Sequence, residues 1–189
     1  NTFYRMPKEN VLEDWASQVP DTFTFAIKAS QRITHFARLK PEAKDALDFM
    51  LRNTNLLGGK LGPMLFQLPP NMKNDIDRLR TFLDFLPPKR RFAVEFRHSS
   101  WFEEDVVEAL KAKDVAMTII DQDDFSTPPV PTASWGYVRL PKPDSDAKAL
   151  AEWAERVKEQ PWSEAYVYFK HDEGAGSGPP AVDAFRALV

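Results

Sequence analysis

Six apolar segments of this chain end in a polar or charged residue, and this recurrence constrains the fold more than any other feature. In the longest segment, Val94 and Phe96 share one side of a predicted strand, and Glu95 and Arg97 share the other. We expect the apolar side to pack beneath helices and the charged side to face an interior that opens to water. Such a strand delivers polar groups at its carboxyl end.

The same alternation holds for the other segments. Counting along each strand places one set of residues on a common side: Lys28, Gln67, Glu95, Arg97, Asp121, Arg139, Tyr166, Tyr168 and Lys170. Between the strands, apolar residues recur at three- to four-residue spacing, which predicts helices. Alternating strands and helices predict an α/β fold with a parallel sheet, and polar ends on one rim favour a TIM-type β/α barrel. We expect residues 1–189 to form a single domain of this kind.

The strand count is lower than a closed barrel requires. A TIM-type barrel has eight strands, whereas about six full strands are predicted here, and the sequence opens at Asn1 without an initiator methionine. We therefore expect the first two strands of the barrel to lie upstream of Asn1.

Composition excludes several classes of function. The chain has no cysteine, which excludes disulfides, a thiol nucleophile and thiolate-ligated metal sites within it. A formal net charge of -3 gives no footprint for non-specific nucleic-acid binding. No apolar run approaches the length of a transmembrane helix, so no membrane partner is expected, and a cytoplasmic location is favoured.

Distinctive sequence blocks occur in order along the chain. They are Asn1–Tyr4 followed by Pro7, Phe25–Lys28, Ile33–His35, Leu61–Pro63, Phe66–Pro70, Ala93–His98, Ser100–Phe102, Tyr137–Leu140 and Tyr166–Phe169. This set resembles the YecE-like proteins, known as domain of unknown function 72. The resemblance implies a β/α barrel and no established reaction. The chain departs from the family pattern after Leu140 and after Phe169, so the resemblance assigns no role to the last two strand ends.

The predicted rim carries more positive than negative charge. Lys28, Arg97, Arg139 and Lys170 stand against Glu95 and Asp121, which favours a small anionic ligand such as a phosphate or a carboxylate. Arg97, Lys28 and Arg139 would form the clamp for this anion, with Gln67 as an orienting group. A competing interpretation is that Glu95, Arg97 and Lys28 only neutralise one another in an interior salt-bridge network.

Two carboxylates are the candidates for catalysis. Glu95 would carry a proton, and Asp121 would act as the second acid or base, or as an oxygen ligand of a divalent metal. Because Ser126 and Pro128 follow in a turn-like run, Asp121 could instead make only a loop hydrogen bond. The cofactor therefore stays open, with a divalent metal as one option.

The remaining candidates are histidines and aromatic residues. His35, His98 and His171 fall near predicted strand ends, but their spacings match no zinc pattern. His98 is also a candidate substrate-binding residue. Tyr4, Trp101 and Tyr168 could stack on a sugar or a base, although Trp101 could equally anchor a helix start in the core.

These features predict an enzyme that acts on a small anionic or carbohydrate-like substrate by acid–base or metal-assisted chemistry. Two alternatives stay open. One is a nucleic-acid-binding barrel resembling the metal-dependent repair endonucleases, against which the pI of about 5.7 counts. The other is a barrel that serves as a non-catalytic scaffold for a partner.

Overall fold

The computed structural model describes residues 1–122, 125–140, 147–169 and 178–189. The helices are α1 (Glu9–Ser17), α2 (Lys44–Thr54), α3 (Ile76–Asp84), α4 (Glu104–Lys111), α5 (Ala147–Lys158) and α6 (Gly178–Arg186). The strands are β1 (Phe25–Lys28), β2 (Leu61–Gln67), β3 (Phe92–Glu95), β4 (Ala116–Met117), β5 (Ile119–Gln122), β6 (Phe125–Ser126), β7 (Gly136–Leu140) and β8 (Ala165–Phe169). Within the described ranges, no helix has both the length and the apolar character needed to cross a bilayer.

The strands form two sheets that are almost entirely parallel. The first has the order β1-β2-β3-β4, and the second has the order β6-β5-β7-β8. Of the described strands, only the short β6 runs antiparallel to its partner, β5. The prediction of an α/β fold with parallel strands is confirmed. Among the described residues, β1 pairs only with β2 and β8 only with β7, so these pairings alone do not close a ring.

One predicted strand is divided between the two sheets. Met117 belongs to β4, which pairs with β3, whereas Ile119 belongs to β5, which pairs with β7. Thr118 lies between them, and its backbone N–H donates to the carbonyl of Val94 at 2.9 Å. Thr118 thus extends the ladder of β3 just where the chain changes partners, and it joins the two sheets.

The main core lies between the first sheet and its helices. Phe66 and Val94 from the strands pack with Leu47 of α2, Phe82 of α3 and Val106 of α4. The rings of Phe66 and Phe82 meet edge to face at 5.1 Å. The sequence predicted that this apolar side of the strands would pack beneath helices. The core forms here because the helices turn their own apolar faces toward the sheet.

The opposite side of the strands forms a separate and smaller cluster. Leu65, Ala93 and Tyr137 are buried there, with Tyr166 and Tyr168 packed against them. Leu65, Ala93 and Tyr137 each lie two positions before the polar residue at the carboxyl end of their strand. The alternation predicted from the sequence is therefore confirmed for β2, β3 and β7, and polar groups lie above an apolar layer.

We expect Gly136→Ala to destabilise the protein. A Cβ at this position of β7 would lie 2.3 Å from Cε3 of Trp162, and the rigid indole must move to relieve the clash. Overpacking of this kind costs about 1–3 kcal/mol. Urea unfolding should show a lower midpoint with an unchanged slope. Gly59→Ala is the control, because a Cβ there meets nothing within 4 Å; equal midpoints for the two variants would contradict the packing described.

Candidate functional site

Four side chains from four strands form a continuous hydrogen-bonded cluster at the carboxyl ends of the strands. We call it the rim cluster, and its members are Lys28, Gln67, Glu95 and Arg139. Lys28 Nζ donates to Oε1 of Gln67 at 2.7 Å, and Nε2 of Gln67 donates to Oε1 of Glu95 at 2.7 Å. Arg139 Nη1 donates to the other carboxylate oxygen, Oε2 of Glu95. The cluster brings together four of the residues that the sequence placed on one side.

Strand register explains why these residues meet. Gln67 is the Cα partner of Glu95 in the parallel pairing of β2 with β3, and β1 lies on the other side of β2. Neighbouring strands lie about 5 Å apart, which a lysine, glutamine or glutamate side chain can span. Arg139 reaches Glu95 from β7 with a longer side chain. Each member sits on the last or next-to-last residue of its strand.

Glu95 is the most buried member of the rim cluster. Its side chain has no exposed surface, whereas 34 % of the Arg139 side chain is exposed. A buried carboxylate needs both an opposite charge and hydrogen-bond donors, and Arg139 and Gln67 supply them. The direct ion pair of Glu95 is therefore with Arg139. Arg97 forms no ion pair or hydrogen bond within the described part of the chain, so the predicted neutralising network of Glu95, Arg97 and Lys28 is not the arrangement observed.

The surroundings of the rim cluster are electropositive. Burial lowers the pKa of the Lys28 ammonium from its ordinary value, and the charges of Arg139 and Arg97 lower it further, while Glu95 opposes them. Burial likewise lowers the pKa of His35, followed by the charges of Lys28, Arg97 and Arg38. His35 is held by its neighbour, since Thr34 Oγ1 lies 2.9 Å from its Nδ1. Arg97 therefore contributes to the field at the rim although it forms no hydrogen bond or ion pair with a described residue.

Phe3 is a site residue that sequence reasoning missed. Its ring lies 4.2 Å from Lys28 Nζ and meets the ring of His35 edge to face at 5.0 Å. Two hydrogen bonds hold this segment in place: Thr2 Oγ1 donates to the carbonyl of Lys28, and the N–H of Gln31 donates to the carbonyl of Phe3. Phe3 lies in an irregular segment, so no periodicity marks it. The only signal was its place beside Tyr4 in one of the quoted blocks.

Tyr168 packs against the apolar layer that lies beneath the rim cluster. Its ring is 5.0 Å from that of Tyr137, and its Cα pairs with that of Arg139 across β7 and β8. Burial raises the pKa of Tyr168 to about 12, with the nearby Tyr166 as a second cause. Burial also raises the pKa of Tyr137. Both phenols are therefore neutral near pH 7 and act as hydrogen-bonding and packing groups there.

Asp121 and His98 are each engaged elsewhere. Ser126 Oγ donates to Oδ1 of Asp121 at 2.8 Å across the β5–β6 hairpin, which is the loop hydrogen bond left open as an alternative. The backbone N–H of Ser100 donates to Nδ1 of His98 at 3.2 Å, so His98 caps the short helical turn Ser99–Trp101. Neither residue forms a hydrogen bond with the rim cluster in the part of the chain that the structure describes.

Trp101 lies in the core and not in the site. The residue has no exposed surface, its ring stacks on Phe96 at 4.7 Å, and its indole N–H donates to the carbonyl of Met72 at 2.7 Å. The structure therefore favours the alternative in which Trp101 anchors a helix start in the core, because one ring face and its only polar atom contact the fold. Tyr4, which is 66 % exposed, lines a groove of about 1010 Å³ between the amino-terminal segment and α2, to which no member of the rim cluster contributes.

The remaining candidates concern the last strand and metals. Lys170 and His171 lie outside the described residues, so their predicted roles stay predictions. Across the ranges given above, no three His, Cys, Asp or Glu side chains are grouped so that they could hold a metal ion. His35 and His98 therefore belong to no such group.

The fold and the rim cluster define an α/β protein with a charged site at the carboxyl ends of parallel strands. Comparison of the sequence with known families is consistent with this description. Residues 1–189 match the family described as "Protein of unknown function DUF72", and the chain belongs to that family. The resemblance deduced from the sequence blocks is confirmed.

Related proteins share the sequence and the fold. The chain is 30% identical over 126 residues to the UPF0759 protein YecE of Escherichia coli K12, covering 64% of this chain and 46% of that protein. It is 30% identical over 147 residues to the UPF0759 protein YunF of Bacillus subtilis 168, covering 69% and 50%. The matches thus span about half the length of these relatives, and neither name states an activity.

Two solved structures of DUF72 family proteins match nearly the whole chain. The protein from Thermotoga maritima aligns with a TM-score of 0.76 at 23% identity, covering 98% of this chain and 80% of that one. The protein from Enterococcus faecalis aligns with a TM-score of 0.83 at 16% identity, covering 99% and 82%. At these identities the matches establish the shared fold.

We expect Arg139→Met to destabilise the protein by about 3 kcal/mol, near the lower end for a broken buried pair because water reaches Arg139. The substitution leaves the buried carboxylate of Glu95 without an opposite charge. Urea unfolding measures the loss. Lys158→Met is the control, since its pair with Glu155 is exposed and is worth about 1 kcal/mol or less. Adding Glu95→Gln to Arg139→Met should recover most of the loss; no recovery would mean that packing, not charge, is responsible.

We also expect the pKa of Lys28 to respond to its neighbours in opposite directions. Arg139→Met should raise it and Glu95→Gln should lower it further, because the first removes a like charge and the second an opposite one. NMR of ¹³C-methylated lysines can follow the titration. Since the folded pKa lies below the unfolded value of 10.5, the unfolded state binds more protons between the two values. This residue therefore makes the free energy of unfolding rise with pH across that interval, and Lys28→Met should remove the rise.

Proposed function

We propose that this chain forms the greater part of a TIM-type β/α barrel that binds a small anionic or carbohydrate-like substrate at the rim cluster and acts on it by acid–base chemistry. The parallel strands, the helices on one side of them and the polar strand ends support this architecture. Barrels of this type carry their sites at the carboxyl ends of the strands, where the rim cluster lies. Fold alone does not define a reaction, so the proposal rests on the side chains.

The observation that carries the proposal is the imbalance of charge at the rim. Lys28, Arg97 and Arg139 are grouped around one buried carboxylate, that of Glu95. Arg97 has no hydrogen-bond partner among the described residues, so its guanidinium is available to a ligand. A phosphate or carboxylate bound there would receive charge-assisted hydrogen bonds and would relieve the mutual repulsion of the cations.

The layer beneath the rim cluster strengthens this interaction. Tyr137 and Leu65 are buried there, and Phe3 covers Lys28 from the other side. Apolar walls lower the local dielectric constant, so a charge pair at this position is stronger than it would be in open water. Tyr168 adds a phenol that stays neutral near pH 7 and could hydrogen-bond a sugar hydroxyl.

Glu95 is our candidate for proton transfer. Its two oxygens each accept one hydrogen bond, from Gln67 and from Arg139, and each keeps a second lone pair. The carboxylate is thereby held in one orientation and can still accept a proton from a bound substrate. Gln67 and Arg139 would act as positioning residues for it, and a substrate anion on Arg97 and Lys28 would lie beside it.

We expect phosphate or small carboxylates to raise the melting temperature of the protein. The rise should grow with the logarithm of the anion concentration divided by its dissociation constant. The shift should be lost in Arg97→Ala, which removes a side chain that forms no hydrogen bond or ion pair with the described residues. Arg80→Ala, at an exposed position of α3, is the matched control and should keep the shift.

A comparison of the melting shift with turnover separates binding from catalysis, and the melting shift also tests the alternatives. Glu95→Gln should keep the anion-induced shift while abolishing turnover of any substrate found, as expected for a proton carrier. A shift that survives in Arg97→Ala would rule out the anion clamp. A shift produced by short DNA duplexes, steeply weakened by salt, would instead favour the nucleic-acid-binding alternative.

A further inference from the structure

His35 lies on the loop that follows β1, beside the rim cluster but outside it. It comes seven residues after Lys28, the last residue of β1. The ring of Phe3 lies 4.2 Å from Lys28 Nζ and 5.0 Å from the ring of His35, so it joins the two side chains. These two distances place the centre of the His35 ring no more than about 9 Å from the Lys28 ammonium. His35 therefore borders the proposed anion site.

The two ring nitrogens of His35 differ in their surroundings. Oγ1 of Thr34 lies 2.9 Å from Nδ1, so this nitrogen is already engaged. Nε2 has no hydrogen-bond partner within the described ranges, and it is open to solvent. A ligand in water can therefore approach the Nε2 side of the ring.

The contact with Thr34 decides which nitrogen carries the proton. Thr34 is fully buried, and its hydroxyl makes no other hydrogen bond with a described residue. A buried hydroxyl proton needs an acceptor, and Nδ1 of His35 is the acceptor within reach. When the hydroxyl donates to Nδ1, the proton of the neutral imidazole is on Nε2. The solvent-exposed nitrogen is then a hydrogen-bond donor.

The charges around His35 keep its imidazole neutral. Burial lowers the pKa of His35, and the charges of Lys28, Arg97 and Arg38 lower it further. Lys28 belongs to β1, Arg97 follows β3, and Arg38 lies on the same loop as His35. All of these charges are positive. An uncharged donor among them adds a hydrogen bond to an anion without adding to the repulsion between the cations.

The backbone holds His35 in one place. The residue lies in a turn of π-helix, Arg32–Phe36, a rare conformation that often occurs at functional sites. Arg38 and Leu39 then adopt left-handed backbone angles, with φ of 50° and 61°. Leu39 is fully buried, and Arg38 Nη2 donates at 3.2 Å to Oδ1 of Asn71, on the loop after β2. Because the turn is fixed at both the core and the next loop, an anion would meet a donor that is already oriented.

We propose that His35 is a further ligand-binding residue of the rim, which donates a hydrogen bond from Nε2 to an oxygen of the bound anion. This inference rests on the proposed function and adds a residue that the rim cluster does not contain. The cations and the neutral N–H all require acceptor oxygens, so the ligand class is an oxyanion. Phosphate and carboxylate groups share this chemistry.

The test is titration of ¹⁵N-labelled protein with inorganic phosphate and, separately, with acetate, at neutral pH and at constant ionic strength balanced with chloride. Long-range ¹H–¹⁵N spectra of the imidazoles report the tautomer, and the spectrum of His35→Phe identifies the signals of His35. We expect the proton of His35 on Nε2 and a saturable shift of that nitrogen with phosphate. A shift with acetate as well would identify a general oxyanion site, and its absence would restrict the ligand to a phosphate group.

Two variants separate the donor from the ring. His35→Phe keeps an aromatic ring beside Phe3 and removes the Nε2 donor, so phosphate binding should weaken by about tenfold or more. His35→Gln supplies an amide N–H in place of Nε2–H and should recover part of that affinity. Phe36→Leu is the matched control, since Phe36 lies in the same turn, is 72 % exposed, and should bind phosphate as the unmodified protein does.

The outcomes distinguish this inference from the function on which it rests. Absence of a melting shift with either anion in the unmodified protein would contradict the anion clamp itself. A melting shift that is lost in Arg97→Ala but unchanged in His35→Phe would keep the anion site and refute the role of His35. A proton on Nδ1, or an Nε2 signal that does not move while the anion binds, would also overturn it. These spectra need only the unmodified protein and His35→Gln for assignment, so they decide the matter even where His35→Phe does not fold.

Discussion

The buried carboxylate of Glu95 is the group on which the arrangement of the strand ends depends. A charge without exposed surface is tolerated only where donors and an opposite charge satisfy it. Gln67 donates from β2, which pairs with β3, and Arg139 supplies the opposite charge from β7 of the other sheet. A shift of either strand by one residue would turn its side chain to the opposite side. The ion pair and the strand register therefore stabilise each other, and the position of Thr118 between the two sheets is part of the same arrangement.

The apolar layer beneath the rim cluster converts this arrangement into a strong local field. The small side chain of Ala93 precedes Glu95 by two positions, and Tyr137 occupies the same place below Arg139. Such a layer excludes water from one side, which strengthens every charge interaction above it. The raised pKa of Tyr137 and the lowered pKa of Lys28 have burial as their first cause in common. A ligand at the rim would thus meet cations that are only partly solvated.

Side-chain alternation predicted which strand residues face the rim, but not which of them pair. Lys28, Gln67, Glu95 and Arg139 could be placed because parity depends only on the backbone. Parity could not choose between Arg97 and Arg139 as the partner of Glu95, since long side chains reach several neighbours, and Arg97 lies beyond the end of β3. For a related reason the sequence left the role of Trp101 open and gave none to Phe3. Both lie outside the strands and the longer helices, where tertiary contacts with Phe96 and Lys28 decide the outcome.

The positions of the charged residues restrict the kind of ligand more than the net charge of the chain does. The chain as a whole carries a formal charge of -3, yet cations are in excess at the rim cluster. Exposed acidic residues such as Glu13 on α1 and Glu108 on α4 supply the balance on the outer helices. Screening limits each charge to about 10 Å at moderate salt, so a compact anion at a strand end feels mainly the nearby cations. A long polyanion would also cross the acidic helices, and the same charge pattern that attracts the small anion therefore disfavours the large one.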